Sequence, residues 1–183
     1  MTSGEEVYRG RFAPSPTGPL HFGSLVAALG SCLEARHRGG EWLVRIEDID
    51  PPREVPGSAS AILCSLERLG FEWDTAVLYQ SSRLAAYAAA IDELNAIGAA
   101  YPCSCTRSEV RAASGGSDVY PGTCRAVQRS SGRRTAVRVR TPDEPVGFAD
   151  RLQGIVAQSL SREVGDFIVC RRDGLFAYQL AVD

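Results

Sequence analysis

Arg11-Phe12-Ala13-Pro14-Ser15-Pro16-Thr17-Gly18-Pro19-Leu20-His21-Phe22-Gly23-Ser24 is the stretch whose reading decides the fold. Upstream, Val7-Tyr8-Arg9-Gly10 is strand-like; downstream, from Leu20 to Arg38, Leu20, Leu25, Ala28, Leu29, Cys32 and Leu33 recur at helical spacing. Between them Pro14, Pro16, Gly18 and Pro19 bar regular structure, so the order is strand, loop, helix. Pro19 suits the first helical turn, where its missing N–H leaves nothing unsatisfied, and the unpaired amides beyond it favour an anion such as a phosphate. The loop reads as a nucleotide-binding one but not as a P-loop. The chain has no Gly-Lys-Ser/Thr and no GxGxxG, so a phosphate would meet imidazole and backbone amides. A lone histidine is more often a helix cap or a packed side chain, but the loop around His21 turns the balance toward a ligand.

The bulk numbers exclude several classes. At 183 residues the chain can hold one sizeable core, or a core with a small inserted module. Its apolar runs are short and Met1 to Glu6 has no hydrophobic stretch, so neither a membrane span nor a secretory signal is expected, and a cytoplasmic location is. Six cysteines in that setting argue for reduced thiols or metal ligands over a disulfide framework. The net charge of -2 exerts no global pull toward nucleic acid, and all 20 cationic side chains are arginine: the chain contains no lysine.

Trp42-Leu43-Val44-Arg45-Ile46 reads as a second strand, with Glu47-Asp48-Ile49-Asp50-Pro51-Pro52-Arg53 at its carboxyl end, where α/β sheets place ligands. Ser58 to Leu69 is helical with Ile62, Leu63, Leu66 and Leu69 on one face, Val77-Leu78-Tyr79 is a short strand, and Ser81 to Ile97 is a helix with Leu84, Tyr87, Ala88, Ile91 and Leu94 inward. The alternation predicts an α/β fold with a Rossmann-like, parallel, doubly wound sheet over residues 1–98. Residues 99–162 change character and read as an inserted small α+β module, with strands at Thr135–Arg140, Val146–Phe148 and Gly154–Val156. Residues 163–183 would return to the first domain through a hairpin, Phe167 to Tyr178, turning on Asp173-Gly174. The end, Phe176 to Asp183, reads as a helix start that stops, so the carboxyl-terminal part of the catalytic domain is expected to be absent.

Arg11 and Glu47 fall at or just past the carboxyl ends of adjacent strands, where a guanidinium and a carboxylate can face one small zwitterion. Arginine offers a bidentate fork to a side-chain carboxylate, which selects glutamate over glutamine by charge, and Glu47 would hold the α-ammonium. A solvated acidic turn or a Mg2+ site is the competing reading of Glu47-Asp48-x-Asp50. Farther on, Cys103-x-Cys105 and Cys124 supply thiolates for a tetrahedral metal, with Tyr120, Asp118 or water left as the fourth ligand. Unbound reduced cysteines are the bland alternative, and Cys32, Cys64 and Cys170 read as small buried hydrophobes. Arg125, Arg129, Arg133, Arg134, Arg138 and Arg140 form an acid-free run that suits either an RNA backbone or a solvated strand face in equal measure.

Pro-x-Pro-x-Gly-x-x-His-x-Gly-Ser resembles the first signature of class I aminoacyl-tRNA synthetases in the form used by the glutamyl and glutaminyl group. His-Phe-Gly-Ser, the run Ile46 to Gly57 and Tyr120-Pro121-Gly122-Thr123-Cys124-Arg125 are similar to the narrower group of glutamyl-queuosine tRNA(Asp) synthetases, over almost the whole chain. The resemblance implies that glutamate is contacted by Arg11, Phe12, Ala13, Pro14, Ser15, Glu47 and Tyr178, and ATP with Mg2+ by His21, Gly23 and Ser24. His21 and Ser24 would be catalytic, Ser24 standing where the family usually has a second histidine. It further implies a structural Zn2+ on Cys103, Cys105, Tyr120 and Cys124, and transfer of glutamate to queuosine in the anticodon of tRNA(Asp), by an enzyme expected to be a monomer. The family's lysine signature against the ATP phosphates has no counterpart in this chain. Two alternatives stand beside this: the amino-terminal part of an ordinary glutamyl-tRNA synthetase, and a non-catalytic, zinc-stabilised RNA-binding module.

Overall fold

The structure is a computed structural model that describes residues 7–126, 132–177, 179 and 180. The chain divides into two compact units, Met1–Leu84 and Ala85–Asp183.

In the first unit β1 (Arg9–Phe12), β2 (Glu41–Ile46) and β3 (Leu78–Tyr79) form a parallel sheet in the order β1-β2-β3. The crossovers are α1 (Phe22–His37) and α2 (Ser58–Arg68). Phe12, Trp42, Val44 and Ile46 from one sheet face pack with Ala28 and Ala35 of α1 and Ile62 and Leu66 of α2, so within this unit both helices cover the same face. Gly10 explains why α1 turns alanines inward: a Cβ there would lie 2.7 Å from the Ser31 carbonyl, so helix and strand meet at backbone distance. Leu29 and Leu33, expected inward from their spacing, are 49% and 59% exposed for the same reason.

Three boundaries differ from the sequence expectation. The first strand begins at Arg9, not Val7. Pro19 is not in the first helical turn: α1 starts at Phe22, with His21 as its N-cap. The loop bends through residues 16–19 and is pinned before the helix begins: Gly18 sits at φ 142° and both accepts from and donates to Ser58, through Ser58 Oγ to Gly18 O at 2.8 Å and Gly18 N to Ser58 Oγ at 3.1 Å. The helix expected from Ser81 is a 3-10 turn, Gln80–Arg83, leading into α3 (Leu84–Ala96), which buries Tyr87 and Ile91 while Leu84 and Ala88 stay exposed.

The second unit carries an antiparallel sheet, β4 (Ala100–Cys103), β5 (Ala136–Val139) and β8 (Ile168–Cys170), in the order β4-β5-β8. Between its strands lie α4 (Arg107–Ala113), the ribbon of β6 (Val146–Asp150) and β7 (Gly154–Gln158), and the single turn α5 (Leu160–Glu163). After β8 the chain turns on three residues, Arg172 to Gly174, rather than two: Arg171 N donates to Leu175 O at 2.8 Å, and Gly174 takes φ 89° to close it. Tyr178, the far end of the expected hairpin, lies outside the described residues, as does Arg129 of the arginine run.

Candidate active site and cysteine cluster

The register of β1 on β2 pairs Arg11 with Leu43 and Phe12 with Val44. Phe12 enters the core, so Arg11, itself exposed, belongs to the opposite face, and strand alternation puts the buried Arg45 and then Glu47 on that same face. The loop is tied to this end of β2 by Glu47 N, which donates to Pro14 O at 3.0 Å. Arg11 and Glu47 are thereby set on one face at the carboxyl end of two neighbouring parallel strands. The Glu47 carboxylate is held from beneath: Arg45, whose side chain is 4% exposed, donates through Nη2 to Glu47 Oε1 at 2.9 Å, and the Glu47 side chain keeps 17% of its surface open.

The neighbouring acids are separately engaged. Asp48 accepts from Ser81 N at 2.9 Å and Ser81 Oγ at 2.6 Å, joining the end of β2 to the turn after β3, and Asp50 pairs with Arg53. Among the described residues the acids of Glu47-Asp48-x-Asp50 form no metal-binding group. The signal for Asp48 was present in the sequence only as an acid next to Glu47, and its partner 33 residues away was not legible.

At the other end of the loop, His21 is exposed and caps α1: its Nδ1 accepts from Ser24 N at 3.2 Å. An imidazole that accepts at Nδ1 carries its proton on Nε2, which faces outward as a donor. Gly23 makes this possible, since a Cβ there would stand 3.1 Å from His21 Cε1 and 3.2 Å from Nδ1. The cap thus uses one of the ring's two nitrogens. Ser24 supplies the amide to the cap and sits half-buried in the first turn.

In the second unit Cys103 and Cys105, at the end of β4, meet Tyr120 and Cys124 on the loop after α4. Cys103 Sγ stands 3.4 Å from Tyr120 Oη, Cys105 Sγ 3.8 Å from it, and Cys105 Sγ 3.5 Å from Cys124 Sγ. The three sulfurs lie within 4.8 Å of one another. Asp118, weighed as a fourth ligand, pairs instead with Arg111. Burial, followed by the hydrogen bond with Cys103, pushes the Tyr120 phenol above its usual range, although Cys124 N donates to its oxygen at 2.8 Å. Burial also raises Cys124, but hydrogen bonds from the Ser104 backbone, Tyr120 and the other two thiols outweigh it and hold this thiol below its ordinary value. Cys105 is pushed up, by burial first and by Cys124 second.

A family model described as tRNA synthetases class I (E and Q), catalytic domain, matches residues 7–183. The chain belongs to this family. Curated class I relatives named glutamyl-Q tRNA(Asp) synthetase are 58% identical over 180 residues in Dechloromonas aromatica and 57% identical over 175 residues in Pseudomonas aeruginosa, each across 96% of this chain. The chain spans 60% and 58% of those two relatives. A crystal structure of a glutamate tRNA ligase from Elizabethkingia meningosepticum, in complex with its amino acid, superposes with TM-score 0.80 at 30% identity, covering 94% of this chain and 40% of that one. Class I membership accounts for the parallel β1-α1-β2-α2-β3 order, with the His21 loop leaving the first strand.

The arginine run of this class I domain is engaged mostly within its own unit. Arg138 is 8% exposed and lies over the Tyr120 ring, 3.8 Å from its centre. Arg140 donates to Gly98 O and Arg125 O and covers the Tyr101 ring, Arg125 donates to Thr141 O, and Arg133 pairs with Glu109. The strand therefore buries Ala136 and Arg138 and leaves Val137 and Val139 half-covered. Sequence reading missed Asp166 altogether. It is 3% exposed and gathers Tyr101 Oη, Thr141 N and Thr141 Oγ1, and no periodicity or motif marks it.

Proposed function

We propose that this chain carries the glutamate- and ATP-binding part of an enzyme that activates glutamate as its adenylate and transfers it to queuosine in the anticodon of tRNA(Asp). The observation that carries the reading is the common face of Arg11 and Glu47, tied together by Glu47 N donating to Pro14 O at 3.0 Å. Arg11 takes the side-chain carboxylate through its planar fork, Glu47 takes the α-ammonium, and Phe12 to Ser15 wall the site with backbone. The α-carboxylate is then free to attack the α-phosphate of ATP in line, with pyrophosphate leaving on the far side. His21 Nε2 and the amides at the start of α1 meet phosphate oxygens as charge moves onto them, and Gly23 leaves room for that approach. Bound Mg2+, which class I synthetases use with ATP, would supply charge neutralisation for the departing pyrophosphate. The queuosine specificity is supported by the names of relatives at 57–58% identity. We assign Tyr178 to glutamate on family resemblance alone. The chain's domains are read as 1–98, 99–162 and 163–183, and its location as cytoplasmic. No helix among the described residues is long and apolar enough to cross a membrane.

Cys103, Cys105, Tyr120 and Cys124 fit a structural zinc. Ligands about 2.3 Å from a tetrahedral zinc stand roughly 3.8 Å from one another; three of the six edges here are 3.4, 3.5 and 3.8 Å, and the three sulfurs lie within 4.8 Å of one another. Bound zinc would cross-link β4 to the loop after α4, and with four protein ligands it has no open position for chemistry.

The test is glutamate-dependent pyrophosphate exchange without tRNA, followed by glutamate transfer, by the enzyme at the length of its relatives. Transfer to queuosine-containing tRNA(Asp), and not to the queuosine-free form, is expected. Transfer to both alike sinks the queuosine assignment, and charging of tRNA(Glu) establishes the glutamyl-tRNA ligase reading that the structural match favours. Unchanged exchange after Glu47→Ala refutes the role of Glu47.

A further inference from the structure

Arg138 is a cation in a place where cations are costly. It is 8% exposed, its Nη1 donates to the main-chain oxygen of Asp166, and its Nε is buried without a hydrogen-bond partner. No carboxylate among the described residues forms an ion pair with it: the Asp166 carboxylate is taken by Thr141, Tyr101 and Arg125. A buried guanidinium without a counter-charge is strongly unfavourable, so something near it must carry negative charge. Asp166, whose main chain it bonds, has its carboxylate engaged by Arg125, and the other ionisable side chain against the guanidinium is Tyr120, whose ring it covers at 3.8 Å. The same problem appears in reverse at the cysteine cluster. A zinc held by three thiolates and a phenolate carries about two negative charges in excess, one more than a site in which a neutral histidine replaces the phenolate. That excess sits beside groups that are buried or half-buried.

We infer that Arg138 is the charge-compensating residue of the metal site, the group that allows a tyrosine to stand where a Cys3His zinc site carries a neutral histidine. The inference rests on the zinc reading above and adds to it a residue outside the ligand set. Two observations support it independently: the guanidinium lies over the ring face of this one ligand, and it has no carboxylate of its own. Each buried charge is costly alone, and each offsets the other. The hydrogen bond from Cys124 N to Tyr120 Oη at 2.8 Å points the same way, since a backbone N–H directed at the phenol oxygen favours negative charge there. Arg138 is a positioning residue and touches no reactant.

The test uses the enzyme at the length of its relatives and zinc itself, with affinity measured by chelator competition and phenolate formation followed in the ultraviolet as zinc is added. Arg138→Gln, which keeps hydrogen-bonding capacity and removes the charge, is expected to lower zinc affinity about 10- to 100-fold, the range usual for groups behind a metal ligand, and to weaken the phenolate signal. Arg138→Lys, which keeps the charge, should bind within a few-fold of the unaltered chain. In a Tyr120→His background, where the site is one negative charge lighter, Arg138→Gln should cost little. Equal losses in both backgrounds make Arg138 a general packing residue and overturn the inference, as does a loss of tenfold or more under Arg138→Lys, where the charge is intact. Zinc bound equally by every variant also overturns it while leaving the zinc reading standing. If the unaltered chain binds no zinc, the zinc reading falls and the inference falls with it.

Discussion

At the scale of single residues, His21 does two jobs that mutation can separate. His21→Ala removes the cap acceptor of α1 and should lower stability by about 1 kcal/mol, read as a shift of the unfolding midpoint. His21→Asn restores a capping side chain without an imidazole, so stability should recover while ATP affinity, followed by calorimetry, does not. Recovery of both would reduce the histidine to a cap. Gly10→Ala is the sharper structural prediction. The added Cβ meets the Ser31 carbonyl of α1 at 2.7 Å, backbone that cannot swing aside, and overpacking of this kind costs roughly 1–3 kcal/mol. The loop itself was readable in advance, because prolines, Gly18 and the His-x-Gly spacing each constrain the backbone locally. That His21 Nδ1 turns back onto Ser24 N was not readable, since it depends on the helix starting at Phe22 rather than at Leu20.

At the scale of elements, α4 is a short helix held at its start. Thr106 Oγ1 accepts from Glu109 N at 3.2 Å and Glu109 Oε2 accepts from Thr106 N at 2.7 Å, a reciprocal capping box, with Arg133 bound to the same carboxylate. The Thr106 backbone hydrogen bond, then Arg133 and the Thr106 side chain, lower the Glu109 carboxyl from 4.5 to about 2. A depressed acid contributes stability above its unfolded value and loses it as pH falls through the folded one. The cap should therefore be complete above about pH 4.5 and fade toward pH 2. Amide protection along Arg107–Ala113, corrected for the intrinsic exchange rate at each pH, should fall over that window, and Glu109→Gln should flatten the dependence. A pH-insensitive α4 in the unaltered chain would show that the cap does not hold the helix. The elements themselves were largely legible: β2 and α2 bury Trp42, Val44, Ile46, Ile62 and Leu66 as their apolar periodicity predicts, but Leu69, read on the same face, lies past the helix end at Arg68 and is exposed, and Cys64 is exposed and neither Cys32 nor Cys170 fully buried. The hairpin turn after β8 was misjudged by one residue, because Gly174 closes a three-residue loop through a left-handed backbone that composition alone does not distinguish from a two-residue turn.

At the scale of the molecule, the two units should respond differently to metal. If zinc sits on Cys103, Cys105, Tyr120 and Cys124, chelation should loosen β4, α4 and β5, lowering their amide protection. Trp42 and Trp73, both in the first unit, should keep their emission. Loss of tryptophan packing at the same chelator concentration would show the units to be one cooperative body. Asp166→Ala should be the most damaging polar substitution in the second unit. It leaves Tyr101 Oη, Thr141 N and Thr141 Oγ1 buried without an acceptor, each worth about 1–3 kcal/mol, and thermal unfolding at neutral pH measures the sum.

What the amino-acid sequence determined by itself was local: the strand-loop-helix of Arg11 to Ser24, the parallel alternation behind it, and three cysteines spaced for a metal. Those readings rest on backbone restriction, apolar period and ligand spacing, which act over a few residues. Tertiary structure decided where the charges go. Arg138 and Asp166 are ordinary surface residue types on any composition scale, and the arginine run read equally well as a solvated face or an RNA contact. Only the pairing of β5 with β4 and β8, and the closing of the Tyr120 loop over it, brings Arg138 onto Tyr120 and folds Asp166 beneath Tyr101 and Thr141. Burial of a charge is a property of what surrounds it, and residues 18 to 65 positions apart in the chain supply those surroundings.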